Sequence, residues 1–473
     1  MFDLQDHIVT CVENVPITAS KQRPEAPEHS LVNFHANIFY SVKESGRILR
    51  RWLQGGLLPL PASCDSSSWP RATRLRARKK GRTPMIVGIV KESFPNEARV
   101  AMVPALVPQL AKAGIEVVIE SGAGDAAGFL DNEYTAKGAT VVSGRAEVFQ
   151  KADLVAQVRS LGANPEQGKA DLELIRDGQA IVGMCEPLTE HDANKALAEK
   201  GAVLFSMEMM PRITRAQSMD VLSSMATIAG YKAVLLAANE LPKMFPMMMT
   251  AAGTIAPAKA FVVGAGVAGL QAIASAKKLG AIVQAYDVRP AVKEQVESLG
   301  GKFVELELET DTAEDAGGYA KELGEDFYKK QREMMLSVVA ASDVVITTAA
   351  IPGKKAPILV TKEMVQGMHP GSVVVDLAAE RGGNCELTKA GETVIDGGIK
   401  IIGPVNIPTT IPFHASQMYA KNVATFLLHL VDEGNLKIDT EDEITAGTLI
   451  TRGGKVVNPR ILEAMGASSE GSK

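Results

Sequence analysis

A short apolar run, Phe261-Val262-Val263, passes directly into Gly264-Ala265-Gly266-Val267-Ala268-Gly269. A helical stretch then ends at Leu279-Gly280, and a second apolar run, 281–286, closes on Asp287. Strand, glycine turn, helix and strand in immediate succession constrain the chain more than any other stretch, because they form one βαβ unit of a parallel sheet. Gly264 permits the tight turn out of the strand, Gly266 lets a pyrophosphate approach the backbone, and Gly269 allows the helix to pack closely on the strand. The helix N-terminus offers unpaired N–H groups and the positive end of its dipole to phosphates. Asp287, at the end of the second strand, is placed to accept hydrogen bonds from an adenosine ribose, which favours NAD(H) and repels a 2′-phosphate. Arg289 stands two residues later, where an arginine can serve a 2′-phosphate; with Asp287 in the discriminating position it reads as stacking near the adenine. Candidate cofactor contacts are therefore Gly264, Ala265, Gly266, Val267, Gly269, Asp287, Val288 and Arg289.

The same alternation extends over most of the 473 residues, a length that accommodates two or three domains. Strand candidates at 85–90, 116–120, 140–142, 153–158, 180–184 and 202–205, with helical runs such as 104–113 between them, predict a first α/β domain. Later strands at 344–347 and 372–377 complete a second. Their following loops, Thr348-Ala349-Ala350 and Ala378 to Gly383, should face the dinucleotide, since ligands lie beyond the carboxyl ends of the strands in open α/β sheets. Ala349 joins the candidate contacts on that ground. The helical pattern at 415–431 has no sheet of its own and is expected to return to the first domain. The expected architecture is α/β, with two doubly wound parallel-sheet domains: residues 85–220 plus 412–465 form one, and a Rossmann domain at 221–411 is inserted in it.

Residues 1–84 differ in character: they hold both tryptophans, lack sustained periodicity, and end in a basic run from Arg71 to Arg82. A solvated, disordered extension fits best; an organellar leader is disfavoured by Glu13, Glu25, Glu28, Glu44 and Asp65, and an unused upstream start stays open. Between Phe303 and Arg332 an acidic stretch precedes Gly317-Gly318-Tyr319. It reads as an exposed insertion, or as a mobile loop in which Tyr319 closes over a nucleotide. A net charge of -5 gives no basic excess for nucleic acid. The four cysteines are scattered without a CxxC pair, which argues against zinc and a disulfide framework and suits a reducing compartment. No uninterrupted apolar run reaches the ~18 residues of a membrane helix.

The chemistry-bearing stretch is Pro211-Arg212-Ile213-Thr214-Arg215-Ala216-Gln217-Ser218-Met219-Asp220-Val221-Leu222-Ser223-Ser224. Arg212, Gln217, Asp220 and Ser223 gather polar groups at a domain junction, where clefts form. Asp220 and Ser223, three apart, share a helix face or cap a helix start. Dehydrogenases of small substrates usually need a histidine to move a proton. Of the seven histidines, His7, His29 and His35 lie in the extension, His191, His369 and His429 read as structural, and His414 is the weak remaining candidate.

From Met85 to about Ile461 the chain resembles the soluble NAD(H)-binding component of the proton-translocating nicotinamide nucleotide transhydrogenases, within the wider family that includes alanine dehydrogenase. Pro211-Arg212, the run Arg215 to Asp220, the glycine turn, Tyr286-Asp287-Val288-Arg289 and Gly317-Gly318-Tyr319 carry the resemblance. It implies a homodimeric oxidoreductase whose NADH passes hydride to NADP⁺ on a separate NADP(H)-binding component, while a membrane component couples transfer to proton movement. It also implies that Arg212, Gln217, Asp220 and Ser223 orient the nicotinamide and that Tyr319 lies on a mobile loop. The chain closes at Lys473 after a Gly/Ser-rich tail, resembling the form whose membrane component is a separate chain. A cytoplasmic protein attached peripherally to the inner membrane through partner subunits is thus expected, with no metal. The alternative is an alanine-dehydrogenase-like amino-acid dehydrogenase, which resembles this chain at Asn96-Glu97-Ala98-Arg99 but carries an aspartate at the position of Glu380, a histidine near Cys185-Glu186-Pro187 and a lysine near Arg159.

Overall fold

Short runs of β-branched residues separated by helices can pair only in parallel, because each crossover carries the chain back to the same edge. In the computed structural model, which describes residues 84–305, 325–350, 353–432 and 434–466, such runs build two sheets. The first contains β1 (Met85–Ile89), β2 (Ile115–Glu120), β3 (Thr140–Val142), β4 (Leu154–Arg159), β5 (Ala180–Met184) and β6 (Val203–Ser206). An exposed hairpin of β7 (Met248–Thr250) and β8 (Gly253–Ile255) precedes the second sheet. That sheet comprises β9 (Lys259–Val263), β10 (Ile282–Tyr286), β11 (Lys302–Phe303), β12 (Val344–Thr347), β13 (Val373–Asp376), β14 (Thr393–Asp396) and β15 (Ile399–Ile402). The chain then forms a short ladder, β16 (Val431–Asp432) with β17 (Asn435–Leu436), and a final hairpin, β18 (Leu449–Arg452) with β19 (Lys455–Val456).

The strand orders are β19-β18-β6-β5-β4-β1-β2-β3 and β11-β10-β9-β12-β13-β15-β14. Both sheets are doubly wound, and in each the order reverses beside the first strand, between β1 and β4 and between β9 and β12. Neither sheet is wholly parallel, which corrects the expectation from the sequence. β18 lies antiparallel on β6, and β14 lies antiparallel on β15. Both exceptions come from Gly-Gly hairpins: Gly397-Gly398 and Gly453-Gly454 all adopt positive φ, the geometry of the two-residue turn that matches strand twist. Both dipeptides are turn signals in the sequence itself.

Four helices position the cleft between the two lobes: α1 (Val221–Glu240), α2 (Val267–Lys278), α3 (Glu325–Ala340) and α4 (Pro412–Leu430). The first half of α1 places Val221, Met225 and Ile228 in the core of the first lobe, and the second half places Ala233, Val234 and Ala237 in the core of the other. By length and composition α1 is apolar enough to cross a membrane, although Lys232 and small polar residues interrupt its apolar run. Its apolar side chains are instead consumed by two soluble cores. α4 packs on the first sheet: the Tyr419 hydroxyl donates to the Gln157 carbonyl at 2.8 Å, and Phe426 meets Phe205 edge-on with centroids 5.8 Å apart.

Candidate dinucleotide-binding cleft

Gly264 leaves β9 at φ +96°, a conformation that L side chains rarely adopt. The turn then delivers Gly266 as the N-cap of α2. A Cβ on Gly269 would lie 1.8 Å from the Gly264 carbonyl oxygen, so only glycine lets α2 sit this close to its strand. Gly266 differs: the nearest atom to a Cβ there is the Arg289 guanidinium, at 4.0 Å. Thr348, just beyond β12, donates to the Gly264 carbonyl at 3.0 Å and ties the turn to the neighbouring loop. That loop is clamped in turn. Asn384 donates to the carbonyls of Ala349 and Pro357 and accepts from the Ala349 N–H. Buried Asp376 accepts from Thr347, Ala378, Asn384, Cys385 and Thr388.

These elements open onto a cleft of about 570 Å³ between the lobes, within the range of small-molecule sites. Its lining includes Arg212, Ser223, Gly264, Ala265, Gly266, Val267, Asp287, Val288, Arg289 and Ala349. Gly269 stands behind the lining as a packing residue. Asp220 also stands behind it: as the N-cap of α1 its carboxylate accepts from the Ser223 N–H at 2.9 Å and from the Ser223 hydroxyl at 2.6 Å. The two alternatives for this pair therefore coincide, since Asp220 caps the helix and presents Ser223 to the cleft. Gln217 is exposed on the short 3-10 helix Thr214–Met219 and is not on the lining. Tyr319, with Gly317 and Gly318, lies outside the described residues, as does nearly all of residues 1–84.

Asp287, 8 % exposed, accepts from the Ala265 N–H at 2.7 Å, and both of its oxygens receive the Arg289 side chain at 2.9 Å. Arg289 is thus folded onto the acid rather than extended towards an adenine. A ribose hydroxyl reaching Asp287 exchanges with one of those bonds, whereas a 2′-phosphate would have to meet the carboxylate itself. Gln331 on α3 was not singled out from the sequence. It is fully buried, lines the cleft, and neither its side-chain oxygen nor its nitrogen has a hydrogen-bond partner. An unsatisfied buried amide costs about 1–3 kcal/mol, so its place on the wall of a nucleotide-shaped cleft fits a polar ligand edge. The only sequence signal was a glutamine on the apolar face of a helix. Gln331→Leu is expected to leave the unfolding midpoint unchanged or raised, and to weaken NADH binding roughly tenfold, the effect of losing a bond worth about 1.4 kcal/mol. Fluorescence titration beside thermal melting checks both.

The charged groups nearest the lobe junction are already committed. Arg99, 2 % exposed, donates to Glu97 at 2.7 and 2.6 Å, to the Met225 sulfur, and to Asn406. Burial works to raise the Glu97 carboxyl, but the bonds and charge of Arg99 outweigh it and hold it at about 2. Glu92, accepting from the N–H groups of Val158 and Arg159, is pushed up to about 7 by burial and by Glu97. Glu380, expected in a loop facing the dinucleotide, accepts from the Asn406 N–H and is absent from the lining. Among the described residues, no histidine is on the lining.

A doubly wound lobe with a glycine cradle, an acid at the end of β10 and an orphaned amide across the cleft defines a dinucleotide-binding α/β protein. Comparison with known proteins agrees. Residues 88–229 match the family Alanine dehydrogenase/PNT, N-terminal domain, and residues 233–459 match Alanine dehydrogenase/PNT, C-terminal domain. The first part of the NAD(P) transhydrogenase subunit alpha of Rhodospirillum rubrum, a chain in its own right, is 49 % identical over 80 % of this chain and 99 % of its own length. The crystal structure of transhydrogenase from Sinorhizobium meliloti superposes with a TM-score of 0.70 at 47 % identity, covering 79 % of this chain and all of that one. An L-alanine dehydrogenase structure superposes with a TM-score of 0.68 at 25 % identity, over 81 % and 99 %. The chain belongs to the alanine dehydrogenase/PNT family and, within it, groups with the transhydrogenase alpha subunits.

Proposed function

We propose that this chain is the NAD(H)-binding component of a proton-translocating transhydrogenase, in which NADH passes hydride directly to NADP⁺ held by a partner component. The observation that carries the reading is the pairing, in one cleft, of the glycine cradle and Asp287 with Arg212 and the Asp220-oriented Ser223. The bound dinucleotide supplies the hydride. The chain's own residues supply position: the α2 N-terminus holds the pyrophosphate, Asp287 takes the ribose, and Arg212 and Ser223 orient the nicotinamide, with Gln217 reaching it from the exposed helix and Tyr319 from its loop. Transfer between two nicotinamide rings releases no proton to a base, which agrees with a lining that has no histidine among the described residues. Positioning is then the main catalytic contribution.

The relatives' names, which call them a subunit alpha or its first part, support further partner chains. The proposal includes a membrane subunit that couples transfer to proton movement and holds this chain at the inner membrane. A homodimer is supported by the β7–β8 hairpin, where Met248, Met249 and Ile255 are exposed with Met247 beside them, an apolar surface of the kind that marks association. The alanine-dehydrogenase reading is disfavoured because Arg99, its proposed carboxylate ligand, is engaged by Glu97 and Asn406 and absent from the cleft lining. Mixing the full chain with an NADP(H)-binding component should produce hydride transfer from NADH to an NADP analogue. Absence of transfer, or turnover of pyruvate and ammonium without any partner, would overturn the proposal.

A further inference from the structure

At the carboxyl end of β5 the chain makes a turn whose strain is held in place by a neighbouring carboxylate. Glu186 adopts φ +47°, in the left-handed region that disfavours residues with a Cβ. Glu208, following β6, accepts from the Cys185 N–H at 2.9 Å and from the Glu186 N–H at 2.9 Å, and also from the Ser206 hydroxyl at 2.6 Å. Burial, then the Glu186 charge, raises the Glu208 carboxyl above its usual range. This buried acid fixes the turn, and the turn aims the Glu186 side chain across the cleft, where it forms an ion pair with Arg381 of the other lobe. Beside the pair, Leu188 from the same turn packs over Gly353, where a Cβ would come within 3.1 Å of it. Glu186, Leu188, Gly353 and Arg381 all belong to the cleft lining, on the side of Arg212 and Ser223. Neither charge is needed by the glycine cradle or by Asp287.

We infer that Glu186 and Arg381 are a positioning pair that latches the two lobes across the cleft and so sets how firmly a bound nucleotide is retained beside Ser223. A strained residue kept by an independent network points to function, since a surface ion pair alone would not justify the backbone cost of about 1–3 kcal/mol. The pair is partly solvent-accessible, with about a third of each side chain exposed. Added salt therefore weakens it, unlike a sealed contact. Its effect on nucleotide retention rests on the proposed function, whereas its effect on lobe separation does not.

Two measurements on the full chain separate these. With Cys11 and Cys64 replaced by serine, spin labels at K137C and E392C report the distance between lobes without nucleotide. One narrow distribution is expected for the parent, and a broader, longer one for E186Q and R381M. Stopped-flow displacement of bound NADH should show release roughly fivefold faster in either variant. The double variant should be no faster than the singles, because one interaction is lost once. Release from the parent should quicken between about 50 mM and about 1 M KCl while E186Q stays flat. Identical distance distributions, additive single effects, or equal salt dependence in parent and E186Q would overturn the latch. Widened distances in a chain that transfers no hydride with its partner would keep the latch and remove the function proposed above.

Discussion

Asp220→Asn should lower hydride transfer by about 100-fold, equivalent to about 2.7 kcal/mol of transition-state positioning, while leaving the NADH dissociation constant within about threefold of the parent. The reason lies in the two bonds that Asp220 makes to one residue. An asparagine oxygen still accepts from the Ser223 N–H, so α1 keeps its cap. Its amide group, however, faces the Ser223 hydroxyl as a donor, and that hydroxyl must now accept where it formerly donated. Ser223 is the member of the pair on the cleft lining, and its proton is released from the orientation the carboxylate imposed. Asp220→Ala should add loss of the cap, about 1 kcal/mol of stability, to the same kinetic defect. Transfer rates with the partner component, NADH titration and thermal melting check the three effects separately. Unchanged transfer in Asp220→Asn would remove Asp220 and Ser223 from the orienting machinery.

Gly269→Ala should abolish detectable NADH binding and cost about 3 kcal/mol or more of stability, the scale of an overpacked core site with backbone on both sides. A methyl 1.8 Å from the Gly264 carbonyl oxygen cannot be accommodated by rotating a side chain. The start of α2 must move away from β9, taking with it the N–H groups meant for phosphate. Gly230→Ala offers a comparison outside the nucleotide cradle. Its Cβ would stand 2.0 Å from the Ala268 carbonyl where α1 crosses α2, so a stability loss of similar size is expected, with binding impaired through the displaced helix. Denaturant unfolding and NADH fluorescence measure both variants. Parental stability and binding in Gly269→Ala would contradict the close helix–strand packing.

The glycine turn and Asp287 were legible in the sequence because their requirements are local. A positive φ, a close helix approach and an acid at the end of the next strand are all set by spacing within one βαβ unit. The polar run from Arg212 to Ser223 was legible as a cluster, but not its division of labour. The N-cap geometry of α1 places Ser223 on the lining with Asp220 behind it and leaves Gln217 on an exposed turn. The antiparallel edges had a local signal in Gly397-Gly398 and Gly453-Gly454, whereas their sheet partners did not: β18 joins a strand more than two hundred positions earlier.

By itself, then, the sequence determined the class of fold and the cradle, since periodicity and glycine placement act through neighbouring residues. Only the tertiary structure decided that Gln331 turns an unsatisfied amide into the cleft, that Arg99 is consumed by Glu97 and Asn406, and that Glu186 meets Arg381 across it. Each of these depends on groups brought together by the packing of separate elements. In the latch, the partners lie 195 residues apart, and no local preference of either side chain encodes that distance.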